Sequence, residues 1–291
     1  MLVGVDLQME SVRSLRRPED FLSAVRLQCD MLPEYLPQKF GWSEPLKLPF
    51  DPRHLETLIP PARGPGSLHD AAIAAGVVAR IPSERYRGGV GETVWWKRTG
   101  KRQARGGWMT RWGKELAGST HASIGLTVFE TRYQDELIAY LKAGCVNNDC
   151  DFGFLDGCPE GYKSYARENE LATAGSHLFV TTHLLRHWLP DMLWATVLGP
   201  AYVRMFGKER VLSAPAYLVE ELGPETIYLQ LTPKLSDINE RFVDVMAARQ
   251  RVKMHLGIDA FFQSALAYDW RKHPESAGKV FRVPEFRLIP D

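Results

Sequence analysis

The sequence predicts an α+β fold in which helices pack on a mainly antiparallel, twisted sheet. Three observations lead there. Apolar runs of period two come in clusters and helical stretches follow them, without the strict strand–helix alternation of a parallel sheet. A polar TGKRQARG separates two aromatic runs, and Gly223-Pro224 separates two apolar ones, as hairpins require. The succession strand, short polar loop, helix occurs at 121–142 and again at 226–255, so two similar halves are expected.

The elements follow in order. Val3, Val5, Leu7 and Met9 share one face of a first strand. Pro18 and Glu19 suit a helix start, and Phe21, Leu22, Val25 and Cys29 form the stripe of a helix to about Leu32. The prolines between 33 and 66 forbid long helices and central strands, so an irregular wrap with a short turn near His54–Leu58 is expected there. Leu68–Val78 is Ala-rich and reads as helical. Thr93–Arg98, Gly107–Trp112 and His121–Phe129 read as strands, Tyr133–Lys142 as a helix, and Thr182–Leu189 as a short helix that Pro190 ends. Leu193–Leu198 is a strand, Pro200–Phe206 a helical turn, and Tyr217–Leu222 with Thr226–Leu231 a hairpin. Ser236 or Asp237 caps a last helix to His255, with Gly257 beyond its end.

The 291 residues carry 36 Lys and Arg against 35 Asp and Glu, and 45% are hydrophobic, which excludes a disordered, collagenous or histone-like chain. A single α+β domain over 1–291 is the expectation. Asp6 and Glu10 interrupt the N-terminal run, no stretch has the length of a membrane span, and the four cysteines read as reduced thiols. A cytoplasmic protein follows.

Catalytic signatures are missing from the sequence. It has no G-x-S-x-G elbow, H-E-x-x-H, Walker loop or C-x-x-C, and Gly88, Gly89 and Gly91 precede a strand instead of joining strand to helix. No Glu is followed two positions later by Lys, so Pro190-Asp191 does not open a nuclease carboxylate motif. Asp149, Asp151 and Glu160 fall at positions 1, 3 and 12 of an EF-hand loop, but Gly153 and Phe154 occupy positions that need an oxygen ligand and a glycine. Cys145, Cys150 and Cys158 lack zinc-knuckle spacing; His183 and His187 share a face if their segment is helical, as ligands or as core histidines. No catalytic residue, metal or cofactor is expected.

Two charged regions stand out. Residues 93–114 carry seven cations (Lys97, Arg98, Lys101, Arg102, Arg105, Arg111, Lys114) and no acid, interleaved with Trp95, Trp96, Trp108 and Trp112. Cations for phosphates and rings for bases make a nucleic-acid site; the alternative is a hairpin with its tryptophans turned inward. Residues 130–170 have nine acids against four bases, with Phe152, Phe154, Tyr162 and Tyr165 among them. An exposed acidic loop with aromatic anchors suits docking on a basic protein surface, because charge steers encounter and buried rings supply affinity.

The run WATVLGPAYVRMFG at 194–207, with LSAP at 212–215 and IYLQLT at 227–232, resembles the immunity protein 52 family and related immunity proteins encoded beside bacterial polymorphic or type VI secretion toxins. The likeness spans about 190–255, with a looser echo in the Trp-rich hairpin and in GSTHASIGLTVFE at 118–130. It implies a cytoplasmic antitoxin, not an enzyme, that neutralises a cognate toxin of restriction-endonuclease type by direct contact; no membrane partner is expected, and nucleic-acid binding through the hairpin 93–114 is the alternative. Asp149, Asp151, Phe152, Phe154, Asp156 and Glu160 are the expected toxin-binding residues, on the strength of the acidic excess around them.

Overall fold

The structure is a computed structural model that describes residues 2–59, 91–111, 120–159, 172–174, 177–180, 182–266 and 281–289. Its centre is β1 (Leu2–Ser11) paired with β7 (Cys150–Pro159), the two longest strands. One side adds β6 (Ala122–Val128), β5 (Ala104–Arg111), β4 (Gly91–Arg98), β2 (Lys39–Gly41) and β3 (Leu48–Pro49). The other adds β10 (Ala195–Leu198), β12 (Thr226–Gln230) and β11 (Leu218–Gly223). These ten strands form one sheet in which every neighbouring pair runs antiparallel. A separate hairpin joins β8 (Ala172–Ala174) to β9 (His177–Phe179).

Side chains alternate across a strand, so each strand splits its residues between two layers. Val5, Leu7 and Met9 of β1 enter a core under α1 (Pro18–Met31) and α2 (Gln134–Asn147), with Phe21, Val25, Leu137 and Leu141. The opposite layer, over β7, β10 and β12, is filled by α3 (Pro200–Phe206), α4 (Lys208–Leu212) and α6 (Phe242–Leu256). There Phe152, Phe154, Leu198 and Ile227 meet Tyr202, Phe206, Val252 and Phe261, and the Tyr202 and Phe206 rings stack with centroids 6.4 Å apart. Among the described residues, helices therefore pack on both faces of the central strands, and on the second face they lie over β7, β10 and β12.

The α+β class holds, with two local corrections. The Pro-rich wrap, described as far as residue 59, is not wholly irregular: it supplies β2 and the edge strand β3 between 3-10 turns at Pro33–Tyr35 and Leu55–Leu58. The last helix is two, α5 (Asp237–Glu240) and α6, because Arg241 leaves helical geometry at φ −132°, ψ 42°. The predicted helix at 68–78 lies outside the described residues. The strand–loop–helix succession does recur, as β6–α2 and β12–α5–α6, but the strand order differs. β1 pairs directly with β6, whereas β10 stands between β7 and β12.

Candidate interaction face

The acidic segment predicted as a loop is β7, the strand beside β1 at the middle of the sheet, and nearly all of it is buried. Asp149 sits in the turn before it, at φ 48°, and accepts a 2.7 Å hydrogen bond from Arg13 Nε. The Asp151 carboxylate accepts the Ala201 N–H at 2.7 Å in the first turn of α3. Burial pushes its carboxyl up to about 6, against the pull of that N–H and of Arg204. Phe152 and Phe154 are core residues, 6.0 Å apart. Asp156 lies 2.6 Å from Arg249, whose other terminal nitrogen is 3.2 Å from Asp191, and Lys253 stands 3.0 Å from Asp191. All four are buried. Glu160 lies outside the described residues. Asp151, Phe152, Phe154 and Asp156 are thus corrected as to exposure, since they lie inside the fold, whereas Asp149 keeps a partly exposed side chain paired with Arg13.

A second polar seam lies on β1. Glu10 accepts from Ser123 Oγ and Gln8 Nε2, each at 2.5 Å, and from Thr120 Oγ1 at 2.7 Å, with Arg111 3.9 Å away. Burial raises its carboxyl; Arg111 and the three donors pull it back. The Gln8 carboxamide donates to Val180 O at 2.7 Å and accepts from Val180 N at 2.9 Å, while Asp6 accepts from Leu178 N at 2.6 Å. These two side chains hold the strand β9 across β1 as a third layer.

Beyond that layer no described element covers this face of the sheet. In the hairpin β4–β5, Trp96 and Trp108 turn inward, 5.9 Å apart, and Trp108 meets Phe21 of α1 edge-on. Trp95, one residue away and so on the opposite face, is 45% exposed. Trp112 and Lys114 lie outside the described residues. Several cations of the hairpin are occupied: Arg102 pairs with Glu34, Arg98 donates to Leu36 O at 3.1 Å, and Arg111 donates to Ser123 Oγ at 3.1 Å.

Register orders what remains. Lys39 faces Lys97 and Lys97 faces Arg105, so three cations stand in a row across β2, β4 and β5. Thr127 completes the row on β6. The next row on this face is Gly41, Trp95, Gly107, Gly125 and Gln8. The one after it contains Thr93, Met109, Ser123 and Glu10. Gly107 has no side chain because Trp95 lies over it: a Cβ there would come within 3.0 Å of the indole. Its neighbour Gly106 faces inward, where a Cβ would meet Gly125 O at 2.2 Å and the Trp96 ring at 2.6 Å. Over Gly125 a Cβ would meet nothing within 4 Å. The result is a slot floored by Gly125, walled by the Trp95 indole and by Gln8, and closed at its ends by Arg105 with Thr127 and by Met109 with Ser123.

No family model matches the chain, and no curated protein matches it. Among solved structures it is similar to a Pseudomonas aeruginosa T6SS protein at 11% identity and a TM-score of 0.49, over 86% of this chain and 73% of that one.

The remaining sequence candidates are scaffold. The segment Thr182–Arg186 is a 3-10 helix and not the α-helix expected there, and His187 falls in the turn after it. The four cysteines are buried thiols, and no group of three potential metal ligands occurs among the described residues. No described helix is long and apolar enough to cross a membrane. In the run at 194–207, Gly199 packs on β7 so closely that a Cβ would lie 2.0 Å from Cys150 O. Pro200 then starts α3 and Tyr202 and Phe206 enter the core. Sequence reasoning missed Lys39, Gly107 and Gly125. The signal available was the adjacent pair Trp95-Trp96, which a strand must split between faces.

Proposed function

We propose that this chain is a binding protein that neutralises a bacterial toxin by direct contact, and that it docks through the open half-sheet formed by β2, β4, β5 and β6. One observation carries the assignment of the surface: a sheet face that no described element covers presents an exposed Trp95 beside the cations Lys39, Lys97 and Arg105, which have no ion pair among the described residues. Exposed tryptophan and arginine are enriched at interfaces, and lysines beside them steer the encounter with an acidic surface. The resemblance of 190–255 to immunity proteins supports the class of partner, a secreted toxin of restriction-endonuclease type. The face is cationic, so the surface it meets on the toxin is acidic. The test is co-expression in a bacterial host with the product of the adjacent reading frame: the wild-type chain rescues growth and co-purifies with that product. A chain that neither rescues nor co-purifies refutes the assignment.

The hairpin also bears on a nucleic-acid function. Trp95 exposes a ring beside unpaired cations, as a base-stacking platform does. Two of the four tryptophans that suggested it, Trp96 and Trp108, are buried in the core, which leaves one described ring on the surface.

A further inference from the structure

We propose that the slot over Gly125 receives one bulky apolar side chain from an acidic, extended segment of the partner, whose carboxylates lie on the Lys39–Lys97–Arg105 row. This deepens the docking assignment above and rests on it.

The size of the slot follows from strand spacing. Trp95 and Gln8 stand on strands three places apart, roughly 14 Å between backbones. The Trp95 indole covers Gly107, so one strand's width remains free, above Gly125. That width admits a single aromatic ring or branched aliphatic chain. The floor is backbone whose hydrogen bonds are already made with β5 and β1, so it attracts no polar group. The Gln8 wall is likewise satisfied, by Val180 and Glu10. The Trp95 wall is an aromatic face, which adds stacking to burial.

The charges lie to one side of the slot. Lys39, Lys97 and Arg105 project from laterally paired positions, so they track a line across the strands. Asp6, which faces Thr127 at the β1 end of the row, and Glu10 are buried acids bonded to Thr127 Oγ1 and to Ser123, Thr120 and Gln8. A segment crossing the strands with carboxylates on the row and one apolar residue dipping toward Gly125 satisfies both. A nucleic-acid strand would need more than one exposed ring to stack successive bases.

The probe is a short fluorescein-labelled peptide of alternating Glu and Ser with one central Phe, read by fluorescence anisotropy against the full chain. Controls are the same peptide with Ser for Phe, and oligo-dT of equal charge. We expect the Phe peptide to bind at least about tenfold more tightly than the Ser peptide, the scale of a buried aromatic anchor. Gly125→Ile, which fills the slot where space is open, and Trp95→Ala each weaken it about fivefold or more, and the double variant Lys97→Glu/Arg105→Glu removes binding at low salt. Circular dichroism melts near that of the wild type show that the variants are folded. No peptide binding, equal binding of both peptides, or binding unmoved by Gly125→Ile overturns the proposal. So does oligo-dT binding more tightly than peptide with the same residue dependence, which assigns the face to nucleic acid. Rescue in co-expression without peptide binding refutes the slot and leaves the toxin function standing; peptide binding without rescue does the reverse.

Discussion

Replacing Arg249 by Met tests whether β7 is held by charge inside the fold. In the wild type the guanidinium bridges Asp156 at 2.6 Å and Asp191 at 3.2 Å. The methionine fills similar volume without charge. Asp191 then keeps Lys253 at 3.0 Å and the Met192 N–H at 2.8 Å. Asp156 keeps the Gly157 N–H at 2.8 Å. The damage is thus concentrated on one fully buried carboxylate, and a broken buried pair of this kind costs about 3–5 kcal/mol. Asp156→Asn in the Arg249→Met background removes the uncompensated charge and should recover about 2–3 kcal/mol of the loss. Urea unfolding at neutral pH, followed by tryptophan fluorescence, measures all four members of the cycle. Burial already raises the Asp156 carboxyl, and losing Arg249 raises it further, so the folded variant takes up a proton before the unfolded chain does. Its deficit against wild type therefore narrows as pH falls toward 4. A cost for Arg249→Met below about 1 kcal/mol, or no recovery on adding Asp156→Asn, would refute the reasoning.

Three further outcomes are expected. Gly106→Ala places a methyl against Gly125 O and the Trp96 ring and should cost roughly 1–3 kcal/mol or more, whereas Gly125→Ala enters open space and should gain about 0.5 kcal/mol; chemical denaturation that ranks the two alike would contradict the packing. Asp151 has its carboxyl raised from 3.8 to about 6, so its contribution to stability is fully present below pH 3.8 and lost as pH rises through 6; this span corresponds to roughly 3 kcal/mol. Asp151→Asn, whose amide oxygen still accepts from Ala201, should be at least as stable as wild type at pH 7 and flatten the stability profile between pH 4 and 6; a loss above about 1 kcal/mol with an unchanged slope would argue against it. Gly199→Ala drives a methyl into Cys150 O and should prevent soluble expression or cost several kcal/mol, on the order of 3, by thermal melt.

Where the sequence was informative, periodicity was the reason. β1, α1, β6 and the β11–β12 hairpin follow from alternation, from a three-to-four stripe or from a Gly-Pro turn, and each depends mainly on its own residues. β7 was not legible, because CDFGFLDGCP mixes Asp and Gly, which are depleted in strands, and its strand state is set by burial between β1 and β10. The same cause led to the expectation that the acidic residues are exposed. An excess of acids in a window says nothing about where their partners are, and Arg13 and Arg249 come from distant segments. The basic hairpin was legible as a hairpin, but its row of cations needs Lys39 from a Pro-rich stretch that gave no strand signal.

The division of labour along β4 to β6 has an evolutionary consequence. Odd and even positions answer to different constraints. Val94, Trp96, Trp108, Ile124 and Leu126 fix the fold from below, while Trp95, Lys97, Arg105, Gly125 and Thr127 lie on the opposite face, where Thr127 is bonded to Asp6. Mutations in the second set leave the first undisturbed. If this face binds a partner as proposed, a population of such chains can exchange one partner for another, residue by residue, on an unchanged scaffold, and relatives should vary fastest at alternate positions of these three strands.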